Sequence, residues 1–343
     1  MQFLKNILFS CIAFLITLTV CEFYVKTTYI ASVTLTGFDP EIGKTRRKNI
    51  GYLYFNEGFA IGKINEFGYI GEPCSLVKSE NTVRIALMGD SFIESFQIFE
   101  RNYFGNIARM KLLERYPGKN FEFLNFGCAG FEMTDMYAYQ KMTVEKMNPD
   151  FIFYMISNDD LIPESSDPLR PVVVLKNDQL EIKTDFNPAE AEKFKRANFL
   201  MQHSAILSLV NDCRTKAKTI PVGSIILDKF YPWFSTQAEA NKENIVSNFK
   251  VDPVLSKIVN NLDPQKVIII NRDINKLPIG YITLFKDNGL RFFDLSPLLT
   301  HLKDTGNDPQ QWEITKKHGH WNFQAHEAIG EEVADIASRV LNP

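Results

Sequence analysis

From Ile7 to Val25 the chain reads ILFSCIAFLITLTVCEFYV, nineteen residues with a single charge at Glu22. As a helix this run is about 28 Å long, close to the roughly 30 Å hydrocarbon core of a bilayer. It predicts a membrane span rather than a buried core helix. After a polar, glycine-containing stretch, VRIALM at Val83 to Met88 ends abruptly in Gly-Asp-Ser and reads as a buried parallel strand. Phe92 to about Tyr116 carries apolar residues at Ile107, Met110 and Leu113 among Arg109, Lys111 and Glu114, the pattern of a helix stopped at Pro117-Gly118. FEFLNFG at Phe121 to Gly127 predicts a strand and turn, Met133 to Met147 a helix, and FIFYMIS at Phe151 to Ser157 another buried strand. The pattern loosens from Leu161 to about Pro264. There Val172 to Ile182 predicts a hairpin turning at Asn177-Asp178, and Phe199 to Val210 an amphipathic helix. The strand pattern resumes at Lys266 to Asn271 and Arg291 to Ser296, before a final helix from about Ala325 to Leu341. Such alternation predicts an α/β fold, a parallel sheet with helices on both faces and a ligand site beyond the carboxyl ends of the strands.

Three segments follow: an anchor at 1–27, a linker and N-terminal extension at 28–82, and a domain at 83–343 with an insertion or cap at 161–264. With 38 basic against 41 acidic residues, the net charge of −3 lacks the basic excess expected of a nucleic-acid binder. Hydrophobic residues make up 45% of the chain, which excludes bulk disorder. Cys11 and Cys21 lie in the apolar run, and Cys74, Cys128 and Cys213 form no C-x-x-C pair, so no disulfide framework is expected. The apolar run has no small-x-small cleavage site, and Val20 stands where a lipoprotein signal needs a small residue before Cys21. An uncleaved single-pass anchor is therefore expected. Lys5 is opposed by Lys26, Arg46, Arg47 and Lys48, so charge does not settle orientation. The signal-like order of short tail, span and large domain favours a body outside the cytoplasm, or in a periplasm.

Ser91, Gly130 and Asn158 stand at three sharp strand ends, and HGHWNFQAH from His318 to His326 precedes the last helix. The segments IALMGDSFIESF, LNFGCAGFEMTD, YMISNDD and HGHWNFQAHEAIGEEVA, in this order, resemble the four blocks of the SGNH (GDSL-like) hydrolase superfamily. The resemblance covers roughly residues 83 to 160 and 266 to 340. It implies a three-layer α/β/α sandwich with a flavodoxin-like sheet. It also implies Ser91 as nucleophile, His320 as general base, and an oxyanion hole made by the amides of Ser91 and Gly130 with the side chain of Asn158. Asp90 is expected to shape the turn through nearby amides, and Asp159 and Asp160 to form a solvated helix start.

The chain departs from the family in one respect that bears on chemistry. An aspartate usually stands two or three residues before the histidine and orients its ring; here those positions are His318 and Lys317. Either a backbone carbonyl orients His320, or an acid from elsewhere does, with Glu313 and Asp294 as candidates. Ile156 replaces the glycine that often begins the asparagine block. His318, His320 and His326 lack further ligands at a recognised metal spacing, so neither a metal nor a cofactor is expected. The implied activity is a serine esterase that removes acyl groups, acetyl foremost, from an extracytoplasmic glycan or lipid. Two alternatives remain: an O-acetyltransferase acting on an exported polysaccharide, and an inactive SGNH-fold binding or assembly protein.

Overall fold

The computed structural model describes residues 2–31, 33–71, 74–162, 167–219 and 251–342. The part of the expected cap at 220–250 lies outside the described residues. Two compact units are formed, one from Gly37–Ala191 with Ile245–Pro343 and one from Met1–Thr36 with Glu192–Asn244.

The larger unit begins with two small hairpins. Strand β1 (Thr36–Asp39) pairs with β2 (Gly43–Arg46), and β3 (Ile50–Tyr54) runs antiparallel to β4 (Ala60–Ile64) with Tyr54 opposite Ala60. Residues 55–59 form the loop of the second hairpin. Tyr52 on β3 is buried edge-on against Phe96, 4.9 Å between ring centroids. A side chain at Gly62 would collide with that tyrosine, its Cβ falling 2.3 Å from the hydroxyl, so glycine lets the ring lie flat on its partner strand.

Five parallel strands make the central sheet: β5 (Thr82–Gly89), β6 (Asn120–Gly127), β7 (Phe151–Ile156), β10 (Val267–Asn271) and β11 (Arg291–Asp294). Their spatial order is β6-β5-β7-β10-β11. Counted among these five strands alone this is the 2-1-3-4-5 order of flavodoxin-like folds, with its switch point between β5 and β7. The alternation of side chains sorts the apolar strands onto two faces. Ala86, Met88, Leu124, Tyr154 and Ile269 pack under helices α4 (Met133–Met142), α7 (Pro253–Asn260) and α8 (Ile279–Asp287). Leu87, Phe153, Met155, Ile268 and Ile270 pack under α3 (Phe104–Arg115), α9 (Ser296–Asp304) and α10 (Phe323–Leu341). The result is the parallel sheet with helices on both faces that the strand–helix alternation predicted, a three-layer α/β/α sandwich.

Two helices of the larger unit differ from their sequence pattern. The stretch from Phe92 to Tyr116 is split into α2 (Ser91–Glu94), a 3-10 turn at Glu100–Asn102, and α3. Ser95 takes a left-handed conformation (φ 58°) and ends α2, while extended Tyr103 starts α3. The helix expected over 133–147 stops at Met142 and continues as a 3-10 turn over Val144–Met147. Strands β8 (Val172–Lys176) and β9 (Gln179–Lys183) form a hairpin whose turn residues, Asn177 and Asp178, both have positive φ, as a two-residue primed turn requires.

In the smaller unit, α1 (Gln2–Thr28) is long and apolar enough to cross a membrane. The helix expected over 199–210 is broken at Ser204, which separates α5 (Pro188–His203) from α6 (Ala205–Thr219). Ser204 Oγ accepts from the Leu207 amide at 3.2 Å, an N-cap that favours a new helix start over a continuous one.

Candidate active site

Strand β5 ends at Gly89, where a Cβ would lie 2.2 Å from the Ile93 side chain, so the chain can turn at once into α2. Asp90 caps that helix by accepting from the Phe92 amide at 3.0 Å. Ser91 is thereby held at the first helical position, above the end of the strand. Its Oγ lies 2.8 Å from His320 Nε2.

His320 stands just before α10 on a loop tied down from several directions. Asn322 caps α10 through the Ala325 amide at 3.0 Å and donates to the carbonyls of Asp308 and Gln311 at 2.8 and 2.9 Å. Trp321 is fully buried, edge-on to Phe92 and Phe104. Trp312 Nε1 donates to the His320 carbonyl at 3.0 Å.

The carboxylate that meets the histidine is Glu57, from the β3–β4 loop. His320 Nδ1 lies 2.8 and 3.1 Å from its two oxygens, and the His320 amide donates to Oε2 at 2.9 Å. The Nδ1 proton is thus assigned to the Glu57 bond, leaving Nε2 to accept from the Ser91 hydroxyl. Burial pushes the Glu57 carboxyl up, but the two hydrogen bonds from His320 and the charges of His320 and Lys317 outweigh it and hold the group below its ordinary value. The loop has no slack. A Cβ at Gly319 would lie 2.5 Å from the Glu57 carboxyl carbon, and one at Gly58 would lie 2.3 Å from the Trp312 ring. Thr315 Oγ1 donates to the Glu57 carbonyl at 2.6 Å, and Lys317 Nζ to Asn56 Oδ1 at 3.0 Å.

This geometry corrects the expected acids. Asp294 ends β11 and accepts from Asn271 Nδ2 at 2.8 Å and the Ser296 amide at 2.9 Å. Glu313 is exposed, and His318 Nε2 stands 3.9 Å from Asp308 Oδ1. Neither Asp294 nor Glu313 supplies the carboxylate on Nδ1. Glu57 lies 263 residues from His320 in the chain, and no spacing rule links the two. The available signal was a lone acid beside glycine between aromatic residues, Phe55-Asn56-Glu57-Gly58-Phe59.

Gly130 has φ 72°, a conformation that suits glycine. Among the described residues, the amides of Ser91 and Gly130 donate to no other protein group. The glycine loop is braced by Arg170, which donates to the carbonyls of Gly130 and of Ala129 (2.8 Å), pairs with Asp135 at 3.2 Å and lies over the Phe131 ring. Asn158 follows β7, and its Nδ2 donates to the Lys276 carbonyl at 3.3 Å.

Arg272, at the end of β10, links the first and third of these loops. One of its terminal nitrogens donates to Asp90 at 2.5 Å and to Ser157 Oγ at 3.0 Å, and its guanidinium lies over the Phe92 ring, 4.3 Å from the centroid. Asp160 is buried rather than part of a solvated helix start. It accepts from the Ser157 amide and hydroxyl at 2.7 and 3.0 Å and faces Arg272. Burial raises its carboxyl, against the charge of Arg272. His326 is also buried, its Nδ1 accepting from the Phe104 amide at 3.2 Å. No group of three or more potential metal ligands occurs among the described residues.

A cavity of about 560 Å³ adjoins Glu57 on the side lined by Phe55, Phe59, Phe99, Trp312, Ile314 and Phe323.

No family model and no curated protein matches the chain. Among solved structures, it is similar to a two-domain esterase active on acetylated mannans, at TM-score 0.39 and 10% identity over 76% of this chain. The chain spans about half of that enzyme, 50% of its length. A lipase/acylhydrolase from Enterococcus faecalis aligns at TM-score 0.38 and 12% identity, over 75% of this chain and 96% of its own. A protein described as lipolytic and of the G-D-S-L family, from Desulfitobacterium hafniense, aligns at TM-score 0.34 and 12% identity, over 74% of this chain and 99% of its own. The likenesses are distant, and the solved structures that share them include esterases and lipolytic proteins of the G-D-S-L kind.

Proposed function

We propose that the chain is a membrane-anchored serine ester hydrolase of the SGNH type. Its substrate in this reading is an acylated, above all acetylated, glycan or lipid outside the cytoplasm. The observation that carries the reading is the hydrogen-bonded series Ser91 Oγ to His320 Nε2, and His320 Nδ1 to Glu57. A serine hydroxyl is a weak nucleophile until a base takes its proton. His320 is that base. As Ser91 Oγ attacks the ester carbonyl, its proton passes to Nε2, and Glu57 stabilises the resulting imidazolium. The free amides of Ser91 and Gly130, with Asn158 Nδ2, are the donors for the oxyanion. The imidazolium returns its proton to the leaving alcohol, and water activated by the same imidazole then releases the acid from Ser91.

An inactive scaffold would be favoured by an imidazole with no carboxylate to orient it; the bond from His320 Nδ1 to Glu57 supports the enzyme reading instead. The acetyltransferase alternative differs in the second step alone, where a sugar hydroxyl replaces water.

The test is hydrolysis of chromogenic esters from acetyl to dodecanoyl by the full chain in detergent, beside labelling by a serine-directed phosphonate. Turnover together with a phosphonate adduct on Ser91 is expected. Labelling without turnover, restored by adding an acceptor sugar, would turn the reading to transfer. A folded chain that neither turns over nor labels would sink the enzyme reading.

A further inference from the structure

The single charge in the apolar run of α1 is not left unpartnered. Glu22 Oε2 accepts from Ser204 Oγ at 2.9 Å and from the Ile206 amide at 3.1 Å, and Oε1 accepts from the Ala205 amide. These groups form the elbow between α5 and α6. A carboxylate in a membrane span is expensive and is found where a specific partner answers it. Here the partner is the start of α6, whose unpaired amides and positive dipole end favour an anion. Val25, one turn further along α1, is buried, and Asn198 on α5 donates to the Thr36 carbonyl at 2.9 Å. The elbow is therefore fastened both to the helix and to the chain that leaves it.

The fastening sets a depth. If the apolar run Ile7–Val25 fills the hydrocarbon core, Glu22 lies three residues, about 4.5 Å, inside its boundary. The elbow held by Glu22 then sits at the junction of hydrocarbon and headgroups. On either side of Ser204 the elbow exposes Phe199 and Leu200 from α5, and Leu207 and Val210 from α6. Large apolar side chains presented from short helices beside a membrane span match the chemistry of an interfacial element, whose apolar face enters the bilayer by about 5–10 Å.

We infer that the α5–α6 elbow is a membrane-surface foot, docked on α1 through Glu22, which inserts Phe199, Leu200, Leu207 and Val210 into the phospholipid bilayer. The inference rests on α1 being a retained anchor. It also gives α1 a second role as a structural partner of the exported chain, which a targeting segment discarded after use could not fill.

The test uses the full chain reconstituted in phosphatidylcholine–phosphatidylglycerol vesicles, with a diazirine-bearing residue at position 207, then at 200. After illumination, lipid adducts are expected at both positions. Glu22→Ala is expected to lower the adduct yield at least fivefold while α1 remains resistant to alkaline extraction and circular dichroism is unchanged. Glu22→Gln, which keeps one acceptor oxygen, is expected to fall between the two. An integrated chain that gives no lipid adduct, or cross-links to protein instead, overturns the foot and leaves the anchor standing. An unchanged yield in Glu22→Ala overturns the docking through Glu22. Release of the chain by alkaline extraction, or a mature chain that starts after Glu22, overturns the anchor and the foot together.

Discussion

The strand-end loops that carry Ser91, Gly130 and Asn158 and the hairpin loop that carries Glu57 reach the candidate site by different physical routes, and Ser91 and Glu57 bond to opposite nitrogens of one imidazole. The first three residues sit at fixed short offsets from β5, β6 and β7. Their placement follows from the hydrophobic pattern of the strands and from the turn chemistry just beyond, and Arg272 locks the first and third loops together. Glu57 has no such offset. It belongs to two short strands, and it reaches His320 because Gly58 and Gly319 allow close approach while Thr315 and Lys317 hold the loop. The difference teaches that the positions of Ser91, Gly130 and Asn158, the proposed nucleophile and oxyanion donors, are properties of the sheet, whereas the position of Glu57 is a property of docking.

Substitutions can break or sharpen this contrast. Ser91→Ala should reduce kcat for an activated ester by about 10⁶, the scale of losing a triad nucleophile. Glu57→Gln keeps the shape but lacks the carboxylate, and its kcat should fall by about 10⁴, while Asp294→Asn and Glu313→Gln stay within a few-fold of the parent. Equal losses from Glu57→Gln and Glu313→Gln would erase the distinction between docked and bystander acids. Asn158→Ala should lower kcat by about 10²–10³ with KM little changed, as expected when one oxyanion donor is removed. A KM effect alone would place Asn158 in ground-state binding.

The smallest expected effect is on stability. Burial, with a lesser push from the nearby His320 charge, depresses His326 to about 3. A base whose folded value lies below its unfolded one binds more protons when unfolded, so stability falls as pH drops from about 6.5 towards 3. Urea midpoints read by tryptophan fluorescence should decline over that window and decline less steeply in His326→Gln. Parallel curves would assign the acid sensitivity to other groups.

The sheet, its helices on both faces and the sites at its carboxyl edge were legible because strongly apolar runs such as VRIALM and FIFYMIS leave little choice of structure. The break in the chain after Glu94 was not legible, since it depends on Ser95 adopting a left-handed conformation rather than on periodicity. Asp160 read as a solvated residue because two adjacent acids usually are; its burial follows from Ser157 and from Arg272, 112 residues further on in the numbering of the chain. Glu57 was hidden for the same reason on a larger scale. Local pattern reports what a residue's own element needs, and Glu57 is positioned by residues of another one.

The 263-residue separation of Glu57 from His320 also orders events in time. At about 5–20 residues per second, synthesis places the acid on the order of tens of seconds ahead of the base. A nascent or partly collapsed chain can already present the serine turn on β5, yet it has no oriented imidazole until the final loop closes over the hairpin, a closure among the most distant the polymer makes. In the proposed reading, hydrolysis requires both ends of the larger unit to have met, so the appearance of activity during refolding would report that closure.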